Sequence, residues 1–168
     1  MRRTLLALAC LLAPTTAAAA DLVVRIEGIV PVGGTVRLGL FDSAEGFAAR
    51  REGVRASRNL PVAADGVVET TFVDLAPGRW AVTAHHDVDD DRELDRFLGL
   101  LPSEGVALSN DPPLVPAPGF DDIALAVRGE RTVVLRMVYP LGRERAVALS
   151  DRPRAGREAP RAGPAAPP

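Results

Sequence analysis

The sequence contains no lysine, since all twenty of its basic residues are arginine, and it has only one cysteine, one tryptophan and one tyrosine in 168 residues. The single cysteine, Cys10, precedes residue 21, so the domain that follows cannot form an internal disulfide. A small exported domain without disulfides depends on its hydrophobic core or on a structural metal ion. No apolar run approaches the roughly 20 residues that a transmembrane helix needs, so no membrane-spanning segment is expected.

Acidic residues dominate the central part of the chain. Residues 21–141 contain 12 arginines and 19 acids, a formal charge of −7, whereas residues 142–168 contain six arginines and three acids, a charge of +3. Nucleic-acid binding requires a basic stripe that neutralises phosphates. The acidic body therefore argues against a nucleic-acid partner.

The first 20 residues have the pattern of a secretory signal peptide. Arg2 and Arg3 form a charged start, Thr4–Leu12 is apolar, and three alanines precede Asp21. We expect cleavage before Asp21 and a mature protein in the periplasm or the medium. A retained N-terminal anchor and lipidation of Cys10 are the alternatives.

The C-terminal segment, residues 142–168, is rich in Pro, Ala, Gly and Arg and has no apolar periodicity. Such a composition buries too little apolar surface to fold, so we expect disorder there. Residues 21–141 then form one domain, which we expect to be monomeric.

Apolar residues alternate with polar ones along most of this domain, as half-buried strands require. Leu22, Val24 and Ile26 share one face of a first strand, and a second such run at 33–41 predicts a hairpin with it. Further runs lie at 66–75, 78–86, 122–127 and 131–139, and the last two suggest another hairpin. About seven strands indicate an all-β, antiparallel, immunoglobulin-like sandwich. One short helix is expected near 43–51, capped by Ser43.

An acidic stretch follows the strand at 78–86, in the sequence AHHDVDDDRELDRF. Alternating carboxylates at Asp87, Asp89 and Asp91, a backbone carbonyl at Glu93 and a further carboxylate at Asp95 reproduce the first nine positions of an EF-hand-type calcium loop. A hard cation prefers six to eight oxygen ligands, and alternate carboxylates on a curled chain converge on one point. The spacing predicts a calcium site.

The match is incomplete at two positions. The sixth, where glycine allows the sharp turn, is Arg92, and the twelfth, where a glutamate normally binds through both oxygens, is Leu98. We expect Glu104 to replace that missing ligand, with Asp121 and Asp122 next in the chain.

The stretch from FVDLAPGRW through DDIALAV, with this acidic run between, resembles the domain of unknown function 2141 family, exported bacterial proteins of about this size. Phe72, Asp74, Leu75 and Gly78 match its strand entry, and His86 with Asp87, Asp89, Asp91 and Asp95 matches its acidic run. The later part of the family pattern is matched by Gly99, Pro102, Glu104, Gly105, Ser109, Asn110, Phe120 and Asp121. The chain departs from the pattern at Asp90 and Arg92, where the family prefers glycine, and by one extra leucine before Pro102.

The resemblance implies a transthyretin-like or prealbumin-like sandwich that carries a conserved acidic loop, and it implies no reaction. Together with the loop it suggests a non-enzymatic binding or structural module of the cell envelope, with an envelope protein or a polysaccharide as partner.

Three other interpretations stay open. One is a solvated loop that binds no metal, and another is an adhesion module that binds through its outer sheet face. The third is a hydrolase-like or carbohydrate-active enzyme that uses His86 with a loop carboxylate. The strand period places His86 on the inward face with Trp80, which favours a hydrogen-bonded core histidine over a ligand, and it points His85 outward. Ser109 and Asn110 either orient the loop carboxylates or form a turn.

Overall fold

The computed structural model describes residues 19–94, 96–97 and 101–150. The described part is mostly β, with 45% of residues in strands and 17% in helices. Its strands are β1 Ala20–Glu27, β2 Thr35–Phe41, β3 Ala56–Pro61, β4 Val68–Leu75, β5 Gly78–Asp87, β6 Arg96–Phe97, β7 Leu101–Pro102, β8 Gly105–Leu108, β9 Ala124–Val127 and β10 Arg131–Arg136. Its helices are α1 Ala44–Ala49, a 3₁₀ turn at Arg50–Gly53, α2 Phe120–Ile123 and α3 Arg143–Ser150.

The longer strands form two sheets. A three-stranded sheet has the order β10-β1-β4, and a five-stranded sheet has the order β3-β2-β5-β8, with β9 also paired to β5. Strands β8 and β9 share one edge of β5, since β8 pairs with Thr83 to His86 and β9 pairs with Gly78 to Ala81. The short strands β6 and β7 pair only with each other.

Alternation along the strands builds the core between the two sheets. In β1 every second residue from Ala20 to Ile26 is buried, and the residues between them are half-buried. Phe72 and Leu135 from the smaller sheet and Val36 and Val82 from the larger one belong to the same buried cluster. The hydrophobic effect, about 25 cal/mol per Å² of apolar surface, therefore holds the two sheets together.

The predicted strands are present, but both predicted hairpins are wrong. β1 pairs with β4 and β10, whereas β2 pairs with β3 and β5, so the two strands lie in different sheets. Likewise β9 pairs with β5 and β10 with β1. The pairing is not purely antiparallel either, because β1 and β10 run parallel. Each of these connections crosses from one sheet to the other.

The predicted short helix is confirmed. Ser43 caps α1 by accepting a hydrogen bond from the Gly46 N–H at 3.1 Å, and Glu45 lies in the first turn. Phe47 of α1 packs edge-on against Phe41 of β2, with ring centroids 5.4 Å apart. This contact belongs to a second, smaller apolar cluster that α1 and α2 form with β2 and β5.

The C-terminal segment differs from its prediction. Residues 143–150 form α3, which buries Ala146 and Leu149 in the main core. These two apolar residues are three positions apart, so they lie on one face of the helix and give the segment a buried side. The predicted signal peptide, apart from its last two alanines, and residues 151–168 lie outside the described residues. Within the described ones, no helix is long and apolar enough to cross a membrane.

Candidate metal centre

The acidic loop begins at the last residue of β5, whose carboxylate organises the turn that follows. Asp87 is fully buried. Its Oδ2 accepts hydrogen bonds from Arg37 Nε at 2.5 Å and from the Arg92 N–H at 3.0 Å, and its Oδ1 accepts one from the Asp91 N–H at 3.1 Å. Backbone donors four and five residues ahead therefore curl the chain around the Asp87 side chain.

The alternating aspartates converge within this turn. One carboxylate oxygen from each of Asp87, Asp89 and Asp91 lies within 4.8 Å of the others. The Asp91 N–H also reaches Asp89 Oδ1 at 3.4 Å, and the Glu93 N–H donates to Asp91 Oδ1 at 2.7 Å. The spacing thus brings one oxygen from each of three carboxylates into a single cluster.

Backbone conformation in the loop matches the expected sharp turn. Arg92 has a φ of 70° and Asp90 a φ of 60°. This left-handed region disfavours residues with a side chain, by on the order of 1 kcal/mol. The glycine-like geometry is therefore retained although neither position is glycine.

Glu104 lies immediately before β8 and reaches the loop from the side. Its side chain is 2% exposed, and Oε1 accepts a hydrogen bond from the Val88 N–H at 2.8 Å. The other oxygen, Oε2, is buried and has no hydrogen-bond partner among the described residues. Glu104 thus binds the loop backbone at Val88 through Oε1, while Oε2 makes no hydrogen bond to a described residue.

Burial raises the pKa of Glu104 to about 8, against the opposing effect of the Val88 N–H, and the negative charges of Asp87, Asp89 and Asp91 raise it further. A carboxyl with this pKa carries a proton at neutral pH when no cation is nearby. A divalent ion beside it would reverse that preference.

The other residues of the predicted ligand set are placed as follows. Glu93 has an exposed side chain, which fits the prediction that only its carbonyl would serve. Asp95 and Leu98 lie outside the described residues. Asp121 pairs with Arg79 at 2.6 Å and Asp122 accepts the Gly119 N–H at 2.8 Å, so both carboxylates are engaged elsewhere.

His86 is a buried, hydrogen-bonded core residue, as predicted. Its Nε2 lies 2.7 Å from the Gly33 carbonyl oxygen, which can only accept, so Nε2 carries the proton. Nδ1 then accepts from the Tyr139 hydroxyl at 2.8 Å, and that hydroxyl accepts the Val30 N–H at 2.9 Å. Burial lowers the pKa of His86, which keeps the ring neutral.

Three partners of this region were missed at the sequence level: Arg37, Tyr139 and Thr35. The Thr35 hydroxyl donates to Asp90 Oδ1 at 2.6 Å. All three belong to strands or turns more than 45 positions from the loop residue that they contact. Only the register of β2 against β5, which places Arg37 opposite His85, would have found Arg37.

Ser109 and Asn110 do not orient the loop carboxylates. The Ser109 hydroxyl donates to the Ile123 carbonyl and accepts the Val82 N–H. The Asn110 amide donates to the Asp122 carbonyl at 3.2 Å, and its backbone has a φ of 65°. Both residues therefore form the turn after β8 and attach it to β5 and α2.

Residues 24–134 match the model of a family described as an uncharacterized protein conserved in bacteria, DUF2141. The chain belongs to this family. The match spans the two sheets and the acidic loop of the DUF2141 chain, and it confirms the resemblance seen in its motifs. Neither the curated proteins nor the solved structures contain a significant match to it.

Proposed function

We propose that this DUF2141 protein is an exported, non-enzymatic module of the cell envelope whose acidic loop binds one calcium ion. The observation that carries the proposal is Glu104, a buried carboxyl whose Oε2 has no hydrogen-bond partner among the described residues. It lies outside the cluster of oxygens that the three aspartates form, but near enough for their charges to raise its pKa. The two sheets with their shared core also support, as part of the proposal, an immunoglobulin-like or transthyretin-like sandwich.

The chemistry of the donor set favours calcium over smaller or softer ions. All the candidate donors are oxygens, and calcium accepts six to eight of them in flexible geometry, whereas magnesium demands a near-ideal octahedron and zinc prefers nitrogen and sulfur. Asp87, Asp89, Asp91 and Glu104 supply side-chain oxygens, Glu93 a carbonyl oxygen, and Asp95 is the remaining carboxylate of the predicted spacing.

The ion would add positive charge where several carboxylates lie close together. Arg37 is the only cation paired with Asp87 in the described part of the chain, and it lies on the side of β2. A calcium ion would add two positive charges at the aspartate cluster and replace the proton of Glu104. The loop would then be fixed to both β5, through Asp87, and the start of β8, through Glu104.

The rival interpretations receive less support. A solvated loop that binds nothing does not explain why the Glu104 carboxyl is buried, because burying an acid beside like charges costs free energy. The hydrolase-like interpretation needs a reactive nitrogen on His86, whose two ring nitrogens bind Gly33 and Tyr139. An envelope protein or a polysaccharide remains the proposed partner of the module.

Titration calorimetry of the full chain with calcium, at neutral pH and after removal of metals by chelator, tests the proposal. We expect one site with a dissociation constant below 1 mM, on the order of the weaker extracellular calcium modules, and a melting temperature that rises with calcium. The variant Asp89→Asn/Asp91→Asn should lose both effects. Glu93→Gln is the matched control, since it removes a charge from the same loop and keeps the carbonyl.

Two results would refute the metal site. One is the absence of a calorimetric signal up to millimolar calcium together with an unchanged melting temperature. The other is an equal loss of affinity in the Glu93→Gln control, which would reduce the effect to general electrostatics.

A further inference from the structure

A groove crosses the outer face of the five-stranded sheet, on the side away from the core. Its volume is about 730 Å³. The floor consists of outward-facing residues in two rows of paired strands: Asn59, Arg37, His85 and Val106 in one row, and Ser57, Gly39, Thr83 and Leu108 in the next. The 3₁₀ turn and α1 form one wall, and the described residues of the other walls are Arg92, Leu94, Arg96, Pro102, Leu114, Ala117 and Pro118.

The groove is cationic although the protein is acidic. Five arginines line it and none of its described lining residues is an aspartate or a glutamate; the arginines are Arg37, Arg50, Arg51, Arg92 and Arg96. Arg37 shares its charge with Asp87. The Arg50 guanidinium lies 4.8 Å from the centre of the Phe47 ring, and Arg51 donates to the Arg92 carbonyl at 2.5 Å. Contacts to a ring and a carbonyl position these two guanidiniums without neutralising them.

Apolar side chains form the remainder of the lining. Phe41 and Phe47 lie at the α1 end, and Val106, Leu108 and Leu114 lie along the β8 side. Ligand pockets of 300–1,000 Å³ combine such apolar walls with a few placed polar groups. The groove therefore has room for an apolar body and a charged head together.

His85 gives an independent indication of a missing polar partner. Its Nε2 is buried and has no hydrogen-bond partner in the part of the chain that the structure describes. The ring lies in the groove floor between Arg37 and Val106. An unpaired buried nitrogen costs about 1–3 kcal/mol, so the floor of the groove contains an unsatisfied polar atom.

We propose that this groove binds an amphipathic organic anion, a carboxylate or phosphate head group on an apolar body. Guanidinium groups match the geometry of both head groups through paired N–H donors. An uncharged sugar would give the Arg50 and Arg51 guanidiniums no anionic partner, and the arginine-rich C-terminal segment of the chain has the wrong charge for this site. Arginine thus selects the head, and the Phe, Val and Leu walls select the body.

Fluorescence or calorimetric titration with four single-chain probes tests the proposal, each probe below its micelle concentration. Laurate and dodecyl phosphate carry the two anionic heads, dodecanol is neutral, and dodecyltrimethylammonium is cationic. The titrations are made in excess chelator, so that their outcome is independent of any ion in the acidic loop. We expect both anions, or one of them, to bind at least about tenfold more tightly than the neutral and cationic probes.

Two variants locate the site. Arg50→Gln/Arg51→Gln should weaken anion binding by about tenfold or more, since charged hydrogen bonds are lost, whereas Arg128→Gln on the exposed β9–β10 connection should not. Thr83→Trp should fill the floor and abolish binding of every probe. Thr71→Trp, on the outer face of the smaller sheet, is its control, and circular dichroism verifies that both tryptophan variants fold.

Binding that ignores the head group would overturn the proposal, as would anion affinity unchanged in Arg50→Gln/Arg51→Gln. Selection by head group that survives in a folded Thr83→Trp variant would place the anion outside the groove and would equally refute it. A difference between laurate and dodecyl phosphate decides which head group the site prefers.

Discussion

The acidic loop and the arginine-lined groove lie side by side, and they gather like charges in opposite ways. In the loop, backbone N–H groups of Asp91 and Arg92 stabilise a buried Asp87 carboxylate, and the cluster is compact. In the groove, guanidiniums surround an open space of about 730 Å³. The loop is therefore suited to a small hard cation, and the groove to a larger anion with apolar surface.

Arg37 connects the two regions. It lies in the groove floor and binds Asp87 at the start of the loop, with only 19% of its side chain exposed. Buried pairs of this kind are expensive to break, whereas exposed ion pairs contribute little. The Arg37–Asp87 pair is therefore the interaction on which both the loop and the groove depend most strongly.

The largest expected effect is that of Asp87→Ala. It leaves the Arg37 guanidinium and two backbone N–H groups without their acceptor. We expect unfolding to become easier by about 3 kcal/mol, measured by urea denaturation in chelator. Because Arg37 would be freed toward the groove, the same variant should bind the anionic probes more tightly.

The matched control is Asp121→Ala, which removes an acid from the exposed pair with Arg79. Its cost should stay below about 1 kcal/mol. If both variants lost the same free energy of unfolding, the buried Asp87 pair would contribute no more to stability than an exposed pair.

A smaller effect is expected from pH, through Glu104. Its folded-state pKa of about 8 lies above the ordinary value of 4.5, because of burial. Its contribution to stability is therefore fully present below about pH 4.5 and is lost as the pH rises through 8. In chelator we expect the free energy of unfolding to fall over this window, on the order of 2 kcal/mol, as measured by urea denaturation.

The variant Glu104→Gln should flatten this dependence, since the amide imitates the protonated acid and still accepts the Val88 N–H. It should also lose the calcium-induced rise in melting temperature. A Glu104→Gln variant that keeps the slope would assign the titration to another group, while Glu93→Gln is expected to leave it unchanged.

The groove should respond to pH with the opposite sign. Burial lowers the pKa of His85 to about 4, against the attraction of Asp87, from an ordinary value of 6.5. The contribution of neutral His85 to the free energy of unfolding is fully present above pH 6.5 and is lost as the pH falls through 4. His85→Gln should reduce the acid-induced loss of stability in urea denaturation, and a loss as large as that of the native chain would disprove this role.

Local sequence patterns predicted most of the strands and their buried faces. They did not predict which strands pair with each other. Period two identifies the face of a strand that is buried, as in β1, but not the neighbour of that strand. The sequence run from β1 to β2 has every local feature of a hairpin. The two strands nevertheless belong to different sheets, and both contribute residues to the shared core.

The candidate site divides in the same way. Asp87, Asp89 and Asp91 were found by spacing, because the turn that gathers them is contained within a few residues. Arg37, Tyr139 and the orphan nitrogen of His85 depend on strand register and on burial, which no local pattern encodes. The groove was missed entirely, since each of its arginines is an ordinary surface residue when read alone.

The smallest expected effect is a gain in stability, from Arg92→Gly. Arg92 holds a φ of 70° that glycine adopts without cost, and its N–H to Asp87 is retained by any residue. Arg92→Gly should stabilise the chain by about 1 kcal/mol in urea and tighten calcium binding, because the loop turn is no longer strained and one positive charge is removed. It should also weaken anion binding in the groove, which loses one of its five arginines.

Arg58→Gly, in the middle of β3, is the control and should instead cost about 0.5–1 kcal/mol. If Arg92→Gly affected the loop and the groove in the same direction, the charge contrast between the two regions would be wrong.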